Sequence, residues 1–434
     1  MKSKGPSYLS QPRVALVQIV IFLCFFWGMP QSSSAYSVLT HEELIDLAWA
    51  NSIRPLLLQR FPGTTDAQLR EAHAYAYGGC AIQDLGYYPF AREFFSDLTH
   101  YVRSGDFINN LLRNARTVDE YAFALGALFH YVGDIIGHKE AVNQSTPIEF
   151  PGLEEKYGPV VTYDENPHAH VRTEFAFDIN QLARTRMPPA SYLEHVGLQV
   201  PRSLLERTFF ETYGLTLRSQ LGNIRPAVKS YRSSVRHFIP RFAYAEVVIH
   251  KSSFPPDSAT PEFLKYQDRI AQAGSANGWE RYRRRKPGFS TYMLAFVIRI
   301  IPKIGPISDL AIRGPNAQTQ EKYVASVNNA LDVYDGLLNE LKKHPGKSLT
   351  LANRDLDTGQ KVQPGGYRLT DKTYAKLLRE ITANPDHQIP AGLKRDILAF
   401  YADPNAPITT RKHARAWKQV LANLATLKQM QAIS

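Results

Sequence analysis

The sequence predicts an all-α protein, a multi-helix domain followed by a mostly helical C-terminal extension. Three observations lead there. Apolar residues recur every three or four positions in segment after segment, the spacing of one helix face. Thr117-x-x-Glu120 opens the clearest of these segments as a capping box, which satisfies free N–H groups at a helix start. No sustained apolar/polar alternation, the mark of a half-buried strand, runs through the front half.

The elements follow in order. Residues 39–58 have helical apolar spacing, bend at Pro55 and stop before Phe61-Pro62-Gly63. Residues 66–77 form a second helix that runs up to Gly78-Gly79. Residues 117–142 place Leu125, Leu128, Phe129, Val132, Ile135 and Ile136 on helical spacing. Gly126, Gly133 and Gly137 each cost this helix about 1 kcal/mol relative to Ala. So many glycines imply that something packs very close to its backbone. Residues 149–167 read as a long irregular stretch, and 172–182 as helix. Around 254–261 the Pro-rich composition is that of a linker. Residues 321–343 and 371–384 read as amphipathic helices, and 409–430 as a terminal one.

Residues 1–13 are polar and basic, 14–27 are apolar except for Gln18, and Ser33-x-Ala35 supplies small residues for a cleavage site. These are the three parts of a secretory signal peptide, and the apolar run is shorter than the roughly 20 residues a spanning helix needs. Cleavage before Tyr36 would leave a secreted or periplasmic chain. We therefore expect a signal peptide over 1–35, a multi-helix domain over 36–250, and a basic, mostly helical region of unassigned role over 251–434.

Composition is that of a globular protein, with 44% hydrophobic and 21% charged residues, and a mean hydropathy of -0.30 argues against a polytopic membrane protein. The net charge of +11 conceals a split. Residues 36–190 hold 12 basic and 20 acidic side chains, and residues 191–434 hold 36 and 20. The front half is acidic, which suits carboxylates that face divalent ions.

Two cysteines, Cys24 and Cys80, exclude a disulfide scaffold and a Cys-based zinc site. Cys80, among small and apolar neighbours, reads as buried core. A metal site must then be built from His and carboxylates. Seven of the 13 histidines fall in 36–190. His130, Asp134 and His138 are spaced by four, so consecutive members share a helix face about 6 Å apart. Each step of four also drifts about 40° around the helix. One helix can therefore feed two adjacent ions, with His130 and Asp134 on one and His138 on its neighbour. His170-x-x-x-Glu174 is a second one-turn pair. Nitrogen and carboxylate ligands of this kind suit Zn²⁺. On spacing alone, a surface ion pair or a satisfied core histidine stays open for either pair. His73 reads as structural, and His168, two residues from His170, points to another face.

Taken in order, these residues resemble the zinc-dependent phospholipase C family, related to the single-strand-specific zinc nucleases and to the catalytic domain of glycosylphosphatidylinositol-specific phospholipase D. The resemblance covers 36–180. Tyr36 matches the N-terminal residue whose freed α-amino group and carbonyl chelate a zinc, and His41 is the ligand five residues on. Asp84 in Gln83-Asp84-Leu85-Gly86 and His100 in Thr99-His100-Tyr101 match the next two. His130, Asp134, His138, His170 and Glu174 complete the set. The resemblance implies three zincs: one on Asp84, His100, His130 and Asp134, a second on His138, His170 and Glu174, and a third on Tyr36 and His41 with Asp134 as bridge. His138 follows Asp134 by four residues, where the secreted bacterial lecithinases and the nucleases use six. Four is similar to the glycosylphosphatidylinositol-specific branch. Tyr36 stands where well-known members carry Trp.

What the resemblance implies is a secreted phosphodiester hydrolase in which a zinc-bound hydroxide attacks the phosphorus of a phospholipid head group. Asp84 would be a ligand, a general base or both. A single-strand nuclease or nucleotidase with the same three-zinc site is one alternative, and a non-enzymatic lipid-surface protein with a degenerate site another. In the basic back half, Arg281-Tyr282-Arg283-Arg284-Arg285-Lys286 precedes an apolar run over 292–304 that is too short to span a bilayer. It reads as a buried helix with a charged flank, or as a peripheral contact with a membrane surface. Its interleaved Arg and Tyr also leave nucleic acid open.

Overall fold

Apolar faces spaced for helices need partner faces, and here they find them in one another. The computed structural model describes residues 36–250, 255–283, 289–300, 314–346, 348–384 and 388–433. The expected leader 1–35 lies outside these residues, as do Arg284, Arg285, Lys286 and the run from 301 to 304. The described chain is helical almost throughout. Its only strands are the two-residue pair Ile389–Pro390 and Ala432–Ile433.

The helix Val118–Gly137 is the axis of the fold. Every residue from Tyr121 to Asp134 is buried, as expected of a helix that is apolar on all sides. The helices Asp66–Gly79, Ser104–Asn114, Val38–Ala48 and Ala317–Lys343 pack around it. Its glycines do what their number implied. A Cβ on Gly126 would stand 2.1 Å from the Ala76 carbonyl oxygen, and one on Gly79 would stand 2.0 Å from that of Phe123. The two helices therefore meet backbone to backbone. Gly133 faces the His41 ring, and Gly137 lies under the ring of Tyr36, 2.6 Å from where a Cβ would be.

At the start of this helix the capping box is half formed. Thr117 accepts from the Glu120 N–H at 3.2 Å, but the Glu120 carboxylate accepts from the N–H of Arg116. At its end the helix does not stop at 142. It passes through a π turn, His138–Val142, into Asn143–Glu149. The first helix does the same: Val38–Ala48, a π turn at Trp49–Ile53, then Arg54–Arg60. Pro55 sits in the first turn of that last piece, directly after the π turn.

The stretch expected to be irregular contains a helix, Pro151–Tyr157. None of its residues is buried, so it shows no apolar face to read. The next helix, Pro167–Ala183, begins earlier than its periodicity suggested. Asn166 caps it by accepting from Ala169 N–H at 2.9 Å. In the back half the three expected helices are Ala317–Lys343, Arg368–Thr382 and Ala414–Gln429, the last preceded by a 3-10 turn at Thr409–Lys412.

One core runs from Tyr36 to Met430, across the boundary expected at 250. Tyr334 stacks on Phe129 with centroids 3.8 Å apart and donates to the Leu125 carbonyl at 3.0 Å. The apolar run appears as a helix, Phe289–Ile300. Ala295 and Ile298 are buried, while Tyr292, Met293 and Phe296 are exposed. Among the described residues no helix is long and apolar enough to cross a membrane.

Candidate metal centre

Five backbone segments converge on one buried cluster. The first helix brings His41, the 3-10 turn Gln83–Tyr87 brings Asp84, and the helix Glu93–Tyr101 brings His100. The central helix and its π turn bring His130, Asp134 and His138, and Pro167–Ala183 brings His170 and Glu174. All eight residues are at most 2% exposed.

They fall into three groups whose donor atoms lie within 4.8 Å of one another: His41, His130 and Asp134; Asp84, His100 and His130; and His138, His170 and Glu174. Asp134 turns Oδ1 to His41 Nε2 at 3.3 Å, and Oδ2 to His130 and His100 Nε2 at 3.0 and 3.5 Å. Asp84 Oδ1 is 3.4 Å from His100 Nε2. Glu174 Oε1 is 3.0 Å from His170 Nε2 and 3.8 Å from His138 Nε2. Two ligands each about 2.1 Å from a tetrahedral zinc stand about 3.4 Å apart. The observed separations scatter around that value.

The imidazoles are presented as ligands are. His130 Nδ1 lies 2.9 Å from the Cys80 carbonyl and His100 Nδ1 2.8 Å from that of Ser96. A carbonyl can only accept, so each Nδ1 carries the proton and each Nε2 turns its lone pair inward. Those two Nε2 atoms, both ring nitrogens of His41 and both of His138 are buried without a hydrogen-bond partner. Unpaired buried polar atoms are costly, and a shared cation satisfies them together. These residues thus fit zinc.

The electrostatics agree. Burial alone would raise Asp134, but His130 foremost, with His100 and His41 facing the same carboxylate, holds it well below the usual carboxylate range. It is ionised, as a ligand must be. Burial and the neighbouring His130 lower His41, and burial and His138 lower His170, so both are neutral. Burial would lower His100 and His130 as well, yet Asp134 and Asp84 raise both. A cation seated among the same atoms takes the place of those protons.

Tyr36 lies beside this cluster, its ring 5.9 Å from that of His41 and its hydroxyl donating to Ser326 at 2.7 Å. His168 joins none of the three groups. His73 sits apart from them, stacked on Trp49 at 3.9 Å with Nε2 2.8 Å from Asp46 Oδ1. Cys80 is buried.

The metal-type groups take up only part of the acidic front half. Of its 20 carboxylates, the groups use Asp84, Asp134 and Glu174. Glu43 instead accepts from Tyr266 at 2.7 Å, and burial pushes its pKa up to about 8. Asp46 accepts from Trp279 Nε1 at 3.2 Å, and Glu42 lies 3.8 Å from Arg236. These acids anchor the first helix to the rest of the fold.

One residue at the site had no signal in the sequence. Asp357 comes from the back half, and its Oδ1 faces His138 Nδ1 at 3.6 Å. No motif spacing links it to the ligand-type residues; only the chain's return to the site does.

Residues 40–223 match the sequence model of the zinc dependent phospholipase C family, a family of hydrolases. No curated protein and no solved structure matches the chain.

Proposed function

We propose that the chain is a phosphodiester hydrolase of phospholipase C type that works with three zinc ions and acts on phospholipid head groups. The observation that carries the reading is Asp134, whose two oxygens face two different sets of imidazoles. In this reading Asp84, His100, His130 and Asp134 hold one ion. His138, His170 and Glu174 hold a second. His41 and the backbone of Tyr36 would hold the third, together with Asp134.

Bound zinc would supply Lewis acidity toward phosphoryl oxygens and lower the pKa of a coordinated water. The chain's own part is positional. The Ser96 and Cys80 carbonyls fix two imidazoles by their outer nitrogens, and Gly133 and Gly137 let His41 and Tyr36 come close to the central helix. Asp84, at the edge of the cluster and 2% exposed, is the carboxylate we assign as ligand and as acceptor of the attacking water's proton.

Cleavage before Tyr36 would free the amine this third group requires, so we read the protein as secreted or periplasmic. The exposed face of Tyr292, Met293 and Phe296 supports a peripheral contact with lipid, which a phospholipase has to reach. A nuclease with the same metals is the second reading. Metal analysis of purified mature chain tests the site, and assays on a choline phosphodiester lipid and on single-stranded DNA test the substrate. Three zincs, chelator-sensitive lipid hydrolysis and loss of both in His130→Ala are expected. Zinc near zero in the wild type would refute the reading, and DNA cleavage without lipid hydrolysis would replace the substrate.

A further inference from the structure

We infer that Asp357 is a positioning residue of the metal centre, supplied by a strap, residues 351–363, that lies outside the segment matching the family. The inference rests on the zinc reading above and adds a residue to it.

The strap is built against the two helices that carry ligands. Leu356 N–H donates to the His100 carbonyl at 3.1 Å. Tyr131 donates to the Ala352 carbonyl at 2.7 Å, and Ser104, on the neighbouring helix Ser104–Asn114, to that of Arg354 at 2.6 Å. Arg354 and Lys361 pair across it as an isolated antiparallel bridge. Gly359, at φ +68°, passes so close to the central helix that a Cβ would lie 2.4 Å from the carbonyl oxygen of Ile135, between Asp134 and His138. Both its left-handed backbone and that approach require glycine.

This seating delivers Asp357 fully buried. Its Oδ2 accepts from Tyr101 at 2.9 Å and from Tyr367 at 2.6 Å, and its backbone carbonyl accepts from Asn143 at 2.7 Å. These bonds fix the carboxylate with Oδ1 toward His138 Nδ1 at 3.6 Å. The other nitrogen of the same ring, Nε2, faces Glu174. His100 and His130 have their Nδ1 held by carbonyls of the front half. For His138, whose nitrogens make no hydrogen bond, the group facing Nδ1 is the strap's carboxylate. A carboxylate behind a metal-bound imidazole sets its tautomer and orientation and raises its basicity. The back half therefore completes the site rather than merely following it.

The test uses full mature chain, with zinc content and zinc affinity measured by chelator competition, and the visible spectrum after cobalt substitution. Asp357→Asn keeps the shape and an acceptor for the tyrosines, and guards against a fold defect in Asp357→Ala. Both variants should bind one of the zincs roughly 10–100-fold more weakly and shift the cobalt spectrum, while the other ions stay tight. A purely structural role would change the melting temperature without singling out one ion. Wild-type affinity at all sites in either folded variant would overturn the inference alone. A wild type that binds no zinc would overturn it together with the functional reading.

Discussion

Replacing Gly126 with alanine gives the sharpest test of how the axis of this fold is packed. On helix propensity alone the change is favourable by about 1 kcal/mol. The structure predicts the opposite sign. The new Cβ would stand 2.1 Å from the Ala76 carbonyl oxygen and 3.0 Å from Cys80 N. Ordinary contact begins near 3.4 Å, so the two helices must separate by roughly 1.3 Å at that point. The obstacle is backbone, which has no rotamer to change. Overpacking of this kind costs about 3 kcal/mol, toward the top of its usual range. The net loss should then be about 2 kcal/mol. The same separation draws Cys80 away from His130, whose Nδ1 its carbonyl holds at 2.9 Å, so zinc affinity should fall too. Gly336 is the control: it is exposed on the helix Ala317–Lys343, with nothing within 4 Å of its would-be Cβ. Gly336→Ala should stabilise by up to about 1 kcal/mol. Urea unfolding in saturating zinc compares the pair. A Gly126→Ala protein as stable as wild type would refute the close-packing argument.

Other outcomes follow from the same geometry. A mature chain carrying one extra residue before Tyr36 should bind one zinc fewer and lose hydrolytic activity, read by metal analysis; full zinc content would remove Tyr36 from the site. His73→Phe keeps the stack on Trp49 and should leave the zinc count unchanged, which separates this histidine from the ligands. Burial pushes the Cys80 thiol well up, and Sγ donates to the Tyr77 carbonyl at 3.3 Å; a thiol reagent should therefore label it only after denaturation. Phe296→Asp places a charge on the exposed face of its helix and should weaken binding to phosphatidylcholine vesicles; unchanged binding would rule out that face as the lipid contact.

The helical class and the long helices were legible because their signals are local. Periodicity marks a buried face, and Thr117 and Pro55 mark positions within a turn. The exposed helix Pro151–Tyr157 was illegible for the same reason, since a helix that buries nothing shows no apolar spacing. Ligand-type residues spaced by four could be paired from the sequence, because helix geometry alone puts His130 beside Asp134 and His170 beside Glu174. The uses of the acidic residues could not. Glu43 has no spacing signal at all, and only the fold shows that it meets Tyr266.

By itself, then, the sequence determined which residues can bind metal, which of them share a helix face, and that the helix bearing three of them is glycine-notched for close approach. Tertiary structure decided how the two oxygens of Asp134 divide between the imidazoles, that His73 meets Asp46 and Trp49, and that a strap from the back half reaches His138. The reason is physical. Helix periodicity fixes neighbours within a turn or two, whereas contacts between distant segments depend on how whole helices pack, and no local pattern encodes that.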